Sequence, residues 1–172
     1  ASGRFALYAM DMTNEQVACT FMIAVVYGWT GGLPGSAACD RTDDLCKIAL
    51  EEMQCHPIGP KLLSGDFNGE LRDFERLRMM VEQLGWTDVG AEAFLCPQGA
   101  KMPTCKVSAV TKATRRDYFI ASPLALQLIQ HFQVTNADVC PTHATLTMHL
   151  HESAPGFDLY QRRIPKPLVA IV

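Results

Sequence analysis

The sequence predicts a domain of the α/β or α+β class, built around a mixed β-sheet. Three observations lead to this prediction. Apolar, β-branched segments alternate along the whole chain with segments of helical periodicity. Of the 172 residues, 48% are apolar and 19% are charged, which is typical of a globular protein with a hydrophobic core. The longest apolar run, 21–27, is far shorter than the roughly 20 residues that a membrane-spanning helix needs.

The first third of the chain predicts two strands, a helix and a third strand. Residues 4–10 can pair with the β-branched segment 17–27, which lacks glycine and proline and is expected to be buried on both faces. Residues 28–35 contain four glycines and one proline and predict a loop. A helix is then expected between Ser36 and Cys55, and a short strand over 61–65.

The middle of the chain predicts a helix over 71–84, a loop over 86–104 and a buried strand over 116–121. Apolar residues recur at helical spacing in the first of these segments. Gly85 follows it as a stop signal.

The last third begins with Ser122 and Pro123, a strong helix start from which the helix is expected to reach about His131. Strands are expected over 132–134 and 144–150.

The domain is expected to cover residues 1–153, with 154–172 as an edge segment or linker tail. The net charge of −3 gives no global positive field, so a phosphate or nucleic-acid ligand would have to be bound locally. The seven cysteines form no C-x-x-C pair, which favours reduced thiols and an intracellular, nuclear or cytoplasmic, location. The N-terminus has neither an initiator methionine nor a signal-peptide pattern, and we interpret the chain as part of a longer protein.

Two segments place carboxylates at the ends of apolar strands. Asp66 and Asn68 follow the strand at 61–65; a carboxylate can take a proton from water, and an amide can donate to a phosphoryl oxygen. The alternative is an aspartate turn that caps the next helix. Asp117 begins the strand at 116–121, where it needs a partner, and the alternative there is a surface ion pair with Arg116.

His143 precedes the last predicted strand. An aspartate such as Asp117, bonded to one ring nitrogen, would fix the tautomer and leave the other nitrogen for chemistry. The alternative is a structural histidine at a strand start.

In chain order these segments resemble the endonuclease/exonuclease/phosphatase superfamily, which includes apurinic/apyrimidinic endonucleases, DNases, inositol polyphosphate 5-phosphatases and the endonuclease domains of non-long-terminal-repeat retrotransposons. Val25-Val26-Tyr27-Gly28 is similar to the family's strand ending in a phosphate-contacting tyrosine. Gly65-Asp66-Phe67-Asn68 is similar to its Gly-Asp-x-Asn box. Arg116-Asp117-Tyr118-Phe119 resembles its Asp-Tyr strand, and Thr142-His143-Ala144 stands in the place of its terminal Asp-His motif.

The resemblance implies an α+β fold, a DNase-like two-layer β-sandwich flanked by helices, of which this chain would hold the C-terminal part. It implies hydrolysis of phosphate esters assisted by Mg²⁺, with Mn²⁺ as the alternative ion. His143 would contact the scissile phosphate or deprotonate water, and Asp117 would orient it. Asp66 would position the water and is a candidate metal ligand, whereas Asn68 and Tyr27 would bind phosphate oxygens.

Two positions depart from the family pattern, and one residue of the pattern is missing. Cys105 follows Thr104 where the family usually has an aromatic residue, and Thr142 replaces the acidic neighbour of the terminal histidine. The family's metal-binding glutamate has no counterpart here and is expected upstream of Ala1. We therefore expect the isolated chain to be inactive and to self-associate.

A run of five basic residues without an acid precedes Asp117 and could hold the phosphate backbone of DNA or RNA; the alternative is a solvated loop. Nucleic acid is the substrate class we expect, with DNA ahead of RNA. Within this run, Arg115 and Arg116 are the candidate substrate-binding residues. An endonuclease, of the retrotransposon type for example, is therefore the first functional hypothesis. The alternatives are a non-catalytic binding module of the same fold and a lipid or inositol phosphate phosphatase. The basic residues are Lys101, Lys106, Lys112, Arg115 and Arg116.

Overall fold

The computed structural model describes residues 3–13, 18–56, 58–106, 112–135, 142–151 and 156–161, and these residues form two sheets and three α-helices. The helices are α1 (Ala37–Gln54), α2 (Glu75–Glu82) and α3 (Pro123–Leu126). The strands are β1 (Phe5–Thr13), β2 (Ala18–Tyr27), β3 (Lys61–Asp66), β4 (Thr87–Asp88), β5 (Asp117–Ala121), β6 (Ile129–Thr135), β7 (Thr145–Leu150) and β8 (Gly156–Gln161).

The larger sheet is mixed, as the sequence predicts. Its six strands lie in the order β4-β5-β3-β2-β1-β8, and β6 pairs with β7 in a separate hairpin. Strands β2 and β3 are parallel and are joined through α1, whereas the other pairs are antiparallel. In the segment 154–172, predicted as an edge segment or linker, residues 156–161 form the edge strand β8.

Two hydrophobic cores lie on opposite faces of this sheet. On one face, α1 and α2 pack against alternate residues of β2, β3 and β5. On the other face, the hairpin packs through Ile129 and Phe132 against Phe21, Leu62 and Ala121. The layers are therefore helices, sheet and hairpin, which confirms the expected α+β sandwich of two β layers with helices.

The prediction that a helix runs from Ser122 to about His131 is wrong. The Ser122 hydroxyl does cap α3 by accepting from the Ala125 N–H, but α3 ends at Leu126. From Ile129 the chain forms β6, because pairing with β7 buries Ile129 and Phe132 in the second core. Short apolar runs fit either period, and tertiary pairing decides between them.

The predicted helix over 71–84 is shorter and divided. A 3₁₀ turn, Leu71–Asp73, carries a capping box in which Glu70 and Asp73 each bind the other's backbone N–H, and α2 starts only at Glu75. The predicted loop over 86–104 contains the short strand β4 and a 3₁₀ turn, Val89–Ala91.

Strand β2 is not buried on both faces along its whole length, contrary to the prediction. Phe21 and Ala24 are fully buried, but Val25 is 37% exposed and Tyr27 is 49% exposed. The second core includes Phe21 and Ile23 but neither of these two residues. The hairpin therefore leaves this end of the sheet open. No helix in the described part of the chain is long and apolar enough to cross a membrane.

Candidate active site

Three predicted site residues lie in one row across the open end of the sheet. Tyr27 of β2 is opposite Asp66 of β3, and Asp66 is opposite Asp117 of β5. Residues in register on neighbouring strands share a face, so these side chains lie on the face that also carries the hairpin. The sheet itself thus brings together residues that are 39 and 51 positions apart in the sequence.

The glycine of the Gly-Asp-x-Asn segment permits this row to form. Gly65 has a φ of 144°, and a Cβ built there would lie 1.8 Å from the Val26 carbonyl oxygen. Gly28 also lies against backbone, because a Cβ built there would be 2.4 Å from the Phe67 carbonyl oxygen. Both positions exclude side chains because β2 and the end of β3 approach closely there.

Asp66 and Asn68 form a tight turn after β3. The Asn68 N–H donates to Asp66 Oδ1 at 2.9 Å, and the side-chain amide of Asn68 donates to Asp66 Oδ2 at 3.3 Å and to the Gly28 carbonyl at 3.1 Å. An aspartate turn is therefore present, but it does not cap the next helix as the alternative supposed, since Glu70 is the N-cap of the 3₁₀ turn that follows. Both hydrogens of the Asn68 amide have partners within the protein, so Asn68 fixes the Asp66 carboxylate.

Asp117 is held by a threonine that is almost completely buried. The Thr104 hydroxyl donates to Asp117 Oδ2 at 2.7 Å and accepts the backbone N–H groups of Arg116 and Asp117, each at 3.0 Å. The same Oδ2 lies 3.0 Å from His143 Nδ1. Because a carboxylate can only accept, Nδ1 carries the hydrogen, and the lone pair of this tautomer is at Nε2.

His143 Nε2 is directed at the remaining groups of the site. It lies 3.9 Å from Asp66 Oδ2 and 3.7 Å from Cys105 Sγ. His143 and Cys105 are also opposite each other in an isolated antiparallel bridge, which fixes the backbone of His143. The structure thus brings Asp66, Asp117 and His143 together, as the sequence analysis expects.

Burial sets the electrostatics of the site. It raises the pKa of the Asp66 carboxyl above its usual range, and the nearby Asp117 carboxylate adds to this rise, while the Asn68 N–H and His143 oppose it. Burial also raises the pKa of the Cys105 thiol. A carboxyl with a raised pKa is a better proton acceptor when ionised, which suits a group that positions or activates water.

The two candidate substrate-binding arginines have different environments. Arg115 forms a bidentate ion pair with Asp88, at 2.5 and 2.6 Å, and only 13% of its side chain is exposed. Its guanidinium also lies over the Tyr118 ring, so it is already engaged in contacts within the protein. Arg116 instead lines an open cleft of about 290 Å³ beside Asn68 and the 31–34 loop.

Comparison with known structures identifies the fold. No protein-family model and no curated protein sequence matches the chain. The 3′ phosphatase NExo from Neisseria, solved with a product DNA hairpin, matches with a TM-score of 0.58 at 17% identity, over 84% of this chain and 65% of that one. The Xenopus laevis APE2 catalytic domain matches with a TM-score of 0.54 at 17% identity, over 89% and 59%.

A third match is the endonuclease domain of TRAS1, a telomere-specific non-LTR retrotransposon, with a TM-score of 0.52 at 13% identity, over 86% of this chain and 64% of that one. The chain has the endonuclease/exonuclease/phosphatase fold. It spans slightly less than two thirds of the length of these structures.

In an endonuclease/exonuclease/phosphatase fold a divalent cation is expected at the acidic strand ends, and the residues here suit one. Ligand atoms of Asp66, Asp117 and His143 all lie within 4.8 Å of one another. Mg²⁺ is commonly held by one or two carboxylates while it keeps several waters. Each carboxylate already accepts two hydrogen bonds, Asp66 from Asn68 and Asp117 from Thr104 and His143, so both keep lone pairs that a cation could use.

Three residues of the site were not among those predicted. Thr104 and Cys105 contact the Asp117–His143 pair, and their place in the family pattern was the signal that could have identified them. Arg4 donates to the Gly28 carbonyl at 2.8 Å and lies over the Tyr27 ring, 4.9 Å from its centroid. Nothing in the sequence around Arg4 indicates this contact.

Proposed function

We propose that the chain belongs to a metal-dependent phosphoesterase, and that its substrate is a phosphodiester of nucleic acid cleaved internally. The observation that carries this proposal is the convergence of Asp66 and His143, with Asp117 bonded to His143 Nδ1, at the open end of the sheet. A carboxylate, an oriented imidazole and a place for a cation are the groups that hydrolysis of a phosphate ester requires.

In the proposed reaction, Asp117 keeps His143 in the tautomer whose Nε2 is free to act. His143 Nε2 binds the scissile phosphate or accepts a proton from water. Asp66, fixed by Asn68, positions the attacking water, and Tyr27 and Arg116 bind phosphate oxygens. A Mg²⁺ or Mn²⁺ ion held by Asp66 and Asp117 would polarise the phosphoryl group and neutralise developing charge.

Three exposed lysines, one of which is next to the site, support nucleic acid as the substrate class. Lys101, Lys106 and Lys112 are exposed, and the backbone N–H of Lys106 donates to the Thr142 carbonyl, next to His143. NExo was solved with a DNA hairpin, which supports DNA over RNA. A nuclear or cytoplasmic location would match this substrate.

The salt dependence of binding tests the substrate class. Replacing Lys106 and Lys112 by Gln should weaken DNA binding and reduce the slope of log K against log salt by about 0.9 for each lost phosphate contact. Lys47→Gln, on the exposed side of α1, is the matched control and should leave the slope unchanged. An unchanged slope in the double variant would favour an inositol or lipid phosphate.

A non-catalytic module with the same fold is the second candidate, and one observation favours it. Thr142 stands next to His143 where the family has an acidic residue, and a hydroxyl contributes no charge to a cation. Full-length protein should be assayed with Mg²⁺ on duplex DNA, single-stranded DNA, RNA, inositol phosphates and a phospholipid. Cleavage of DNA supports the enzyme, whereas DNA binding without turnover of any substrate supports the module.

We further propose that residues 1–172 alone hydrolyse DNA poorly and self-associate. The cluster at the site offers two carboxylates among the described residues, and both already accept hydrogen bonds, Asp66 from Asn68 and Asp117 from Thr104 and His143. Val25 and Tyr27 lie exposed at the end of β2 and provide apolar surface for association. Size-exclusion chromatography and a cleavage assay test both points; a monomeric chain with full activity would contradict them.

A further inference from the structure

The guanidinium group of Arg4 lies over two aromatic rings at the open end of the sheet. Its Cζ is 4.9 Å from the centroid of the Tyr27 ring and 4.8 Å from that of the Trp29 ring. Its Nη1 donates to the Gly28 carbonyl at 2.8 Å and to the Tyr27 carbonyl at 3.3 Å, while the Tyr27 N–H donates to the Arg4 carbonyl at 2.9 Å. Both the backbone and the side chain of Arg4 are therefore bound to the end of β2.

Within the described part of the chain, Arg4 is the main support of the Tyr27 side chain. Tyr27 is 49% exposed and belongs to neither hydrophobic core. Among the described residues, its ring contacts the Arg4 guanidinium and its hydroxyl has no hydrogen-bond partner. A tyrosine side chain at an open strand end can adopt several rotamers, and a cation over its ring favours one of them. Arg4 therefore fixes the direction in which the Tyr27 hydroxyl points.

Trp29 in turn anchors Arg4. The side chain of Trp29 is partly buried and packs against the core formed with α1 and α2. Its backbone N–H donates at 3.0 Å to the hydroxyl of Thr42, which is fully buried in α1. Because the second ring under the guanidinium is held by the core, Arg4 has a defined position although it lies near the surface.

The Gly28 carbonyl connects Arg4 to the turn that fixes Asp66. This oxygen accepts from Arg4 Nη1 at 2.8 Å and from the side-chain amide of Asn68 at 3.1 Å. The same amide donates to Asp66 Oδ2 at 3.3 Å. Arg4 therefore shares one acceptor with the residue that holds the candidate catalytic carboxylate, and its contacts end at the site.

The arrangement requires an arginine rather than any cation. A guanidinium is planar, so it can cover an aromatic face while its N–H groups donate to carbonyls. A lysine ammonium is a compact point charge on a flexible stem and cannot reproduce both kinds of contact. Arg4→Lys therefore keeps the positive charge and removes the positioning, which separates these two contributions.

We infer that Arg4 is a positioning residue of the candidate active site, which holds the Tyr27 ring so that its hydroxyl meets a phosphate oxygen of the substrate. The inference rests on the proposed function, in which Tyr27 binds phosphate oxygens. Arg4 itself does not touch the reacting atoms. Because Tyr27 contacts the phosphate in the ground state and in the transition state alike, Arg4 contributes to KM more than to kcat.

The kinetics of DNA cleavage by the full-length protein in Mg²⁺ test this role. Arg4→Lys and Tyr27→Phe should each raise KM about tenfold, the loss expected for one hydrogen bond to a charged group, and should change kcat by less than about threefold. The double variant should have nearly the KM of Tyr27→Phe alone, because Arg4 acts through Tyr27. Arg78→Lys, at an exposed position of α2, is the matched control and should leave KM unchanged.

Side-chain NMR tests the positioning without any assay of activity. In the wild-type protein, the χ1 couplings of Tyr27 should report a single rotamer, and nuclear Overhauser contacts should join its ring to Arg4. In Arg4→Lys the couplings should be averaged over several rotamers. Arg78→Lys should keep the single rotamer of Tyr27.

Each outcome decides the inference. An averaged Tyr27 rotamer in the wild type would overturn it, and this spectrum is decisive even if a variant folds poorly. A single rotamer or a wild-type KM in Arg4→Lys would also overturn it, as would additive losses in the double variant. If the rotamers behave as expected while no phosphate ester is hydrolysed, the proposed reaction fails and the affinity for uncleaved DNA replaces KM. That affinity should then fall about tenfold in Arg4→Lys, and an unchanged affinity would overturn the role of Arg4.

Discussion

Replacing Asp117 by Asn removes one negative charge while it preserves the shape of the side chain. In the structure, Asp117 Oδ2 accepts from both Thr104 and His143 Nδ1, at 2.7 and 3.0 Å. An amide at this position can satisfy both donors only through its oxygen, and its NH₂ group favours the opposite histidine tautomer. His143 Nε2 would then carry the hydrogen and could no longer accept a proton.

The magnitude follows from the known cost of the wrong tautomer in an aspartate–histidine pair. In such a pair, replacing the aspartate by asparagine lowers kcat by about 10⁴-fold. We therefore expect kcat of Asp117→Asn to fall by about 10³- to 10⁴-fold, which corresponds to roughly 4–5.5 kcal/mol of transition-state stabilisation. The assay is the initial rate of DNA cleavage in Mg²⁺ by the full-length protein. Nitrogen chemical shifts of His143 report the tautomer and should change from Nδ1–H to Nε2–H.

Asp43→Asn is the matched control for this substitution. Asp43 is a partly buried carboxylate on α1 that accepts one backbone N–H, from Arg76 at 2.8 Å, and an amide oxygen can replace it. Its rate should stay within about twofold of the wild type, since surface and cap positions rarely affect distant chemistry. An Asp117→Asn protein that retains a tenth or more of the wild-type kcat would refute the role of the Asp117–His143 pair.

Three further predictions concern stability and binding. Gly65→Ala should lower the free energy of unfolding in urea by at least about 2 kcal/mol, because its Cβ would collide with the β2 backbone. Gly31→Ala, which has open space around it, should lower this free energy by only about 1 kcal/mol. Equal losses in the two variants would contradict the close approach of the backbone at Gly65. Arg115→Ala should lower the free energy of unfolding by about 3–5 kcal/mol, because it leaves the buried Asp88 carboxylate unpaired. Arg116→Ala should raise KM and leave the melting temperature unchanged. The reverse pattern would make Arg115 the substrate ligand. Because the pKa of Asp66 is raised in the folded protein, Asp66 contributes its full stability below about pH 4 and loses this contribution as the pH rises through the raised pKa. The unfolding free energy of Asp66→Asn should therefore fall less steeply than that of the wild type between these two pH values. Parallel curves of unfolding free energy against pH would contradict the raised pKa.

The sequence predicts those parts of the fold where local pattern and tertiary packing agree. Strand β2, helix α1 and strand β3 form within a few residues of their expected limits, because length, β-branching and the Ser36 cap all favour the same structure. The segment after Ser122 does not, since its apolar residues fit a helix and a strand equally well. Pairing with β7, the next strand along the chain, makes β6 a strand.

The sequence predicted which residues form the candidate site, from their types and their order along the chain. Motif order suggested that Asp66, Asp117 and His143 meet, and the sheet register explains why they do. Their partners were not predictable in the same way. Both amide hydrogens of Asn68 are bonded within the protein because the backbone of Gly28 approaches closely. Arg115 is paired with Asp88, which lies in β4, a strand that the sequence pattern did not reveal.

The most direct test of the central claim is the rate of Mg²⁺-dependent DNA cleavage by full-length wild-type protein and by its His143→Ala variant. His149→Ala is the control, because His149 is an exposed histidine that stacks on His131 in the hairpin, outside the site. We predict cleavage that requires the metal, that falls at least about 10³-fold in His143→Ala and that is unchanged in His149→Ala. Equal rates in wild type and His143→Ala, or no cleavage by the wild type with any divalent cation, would contradict the account.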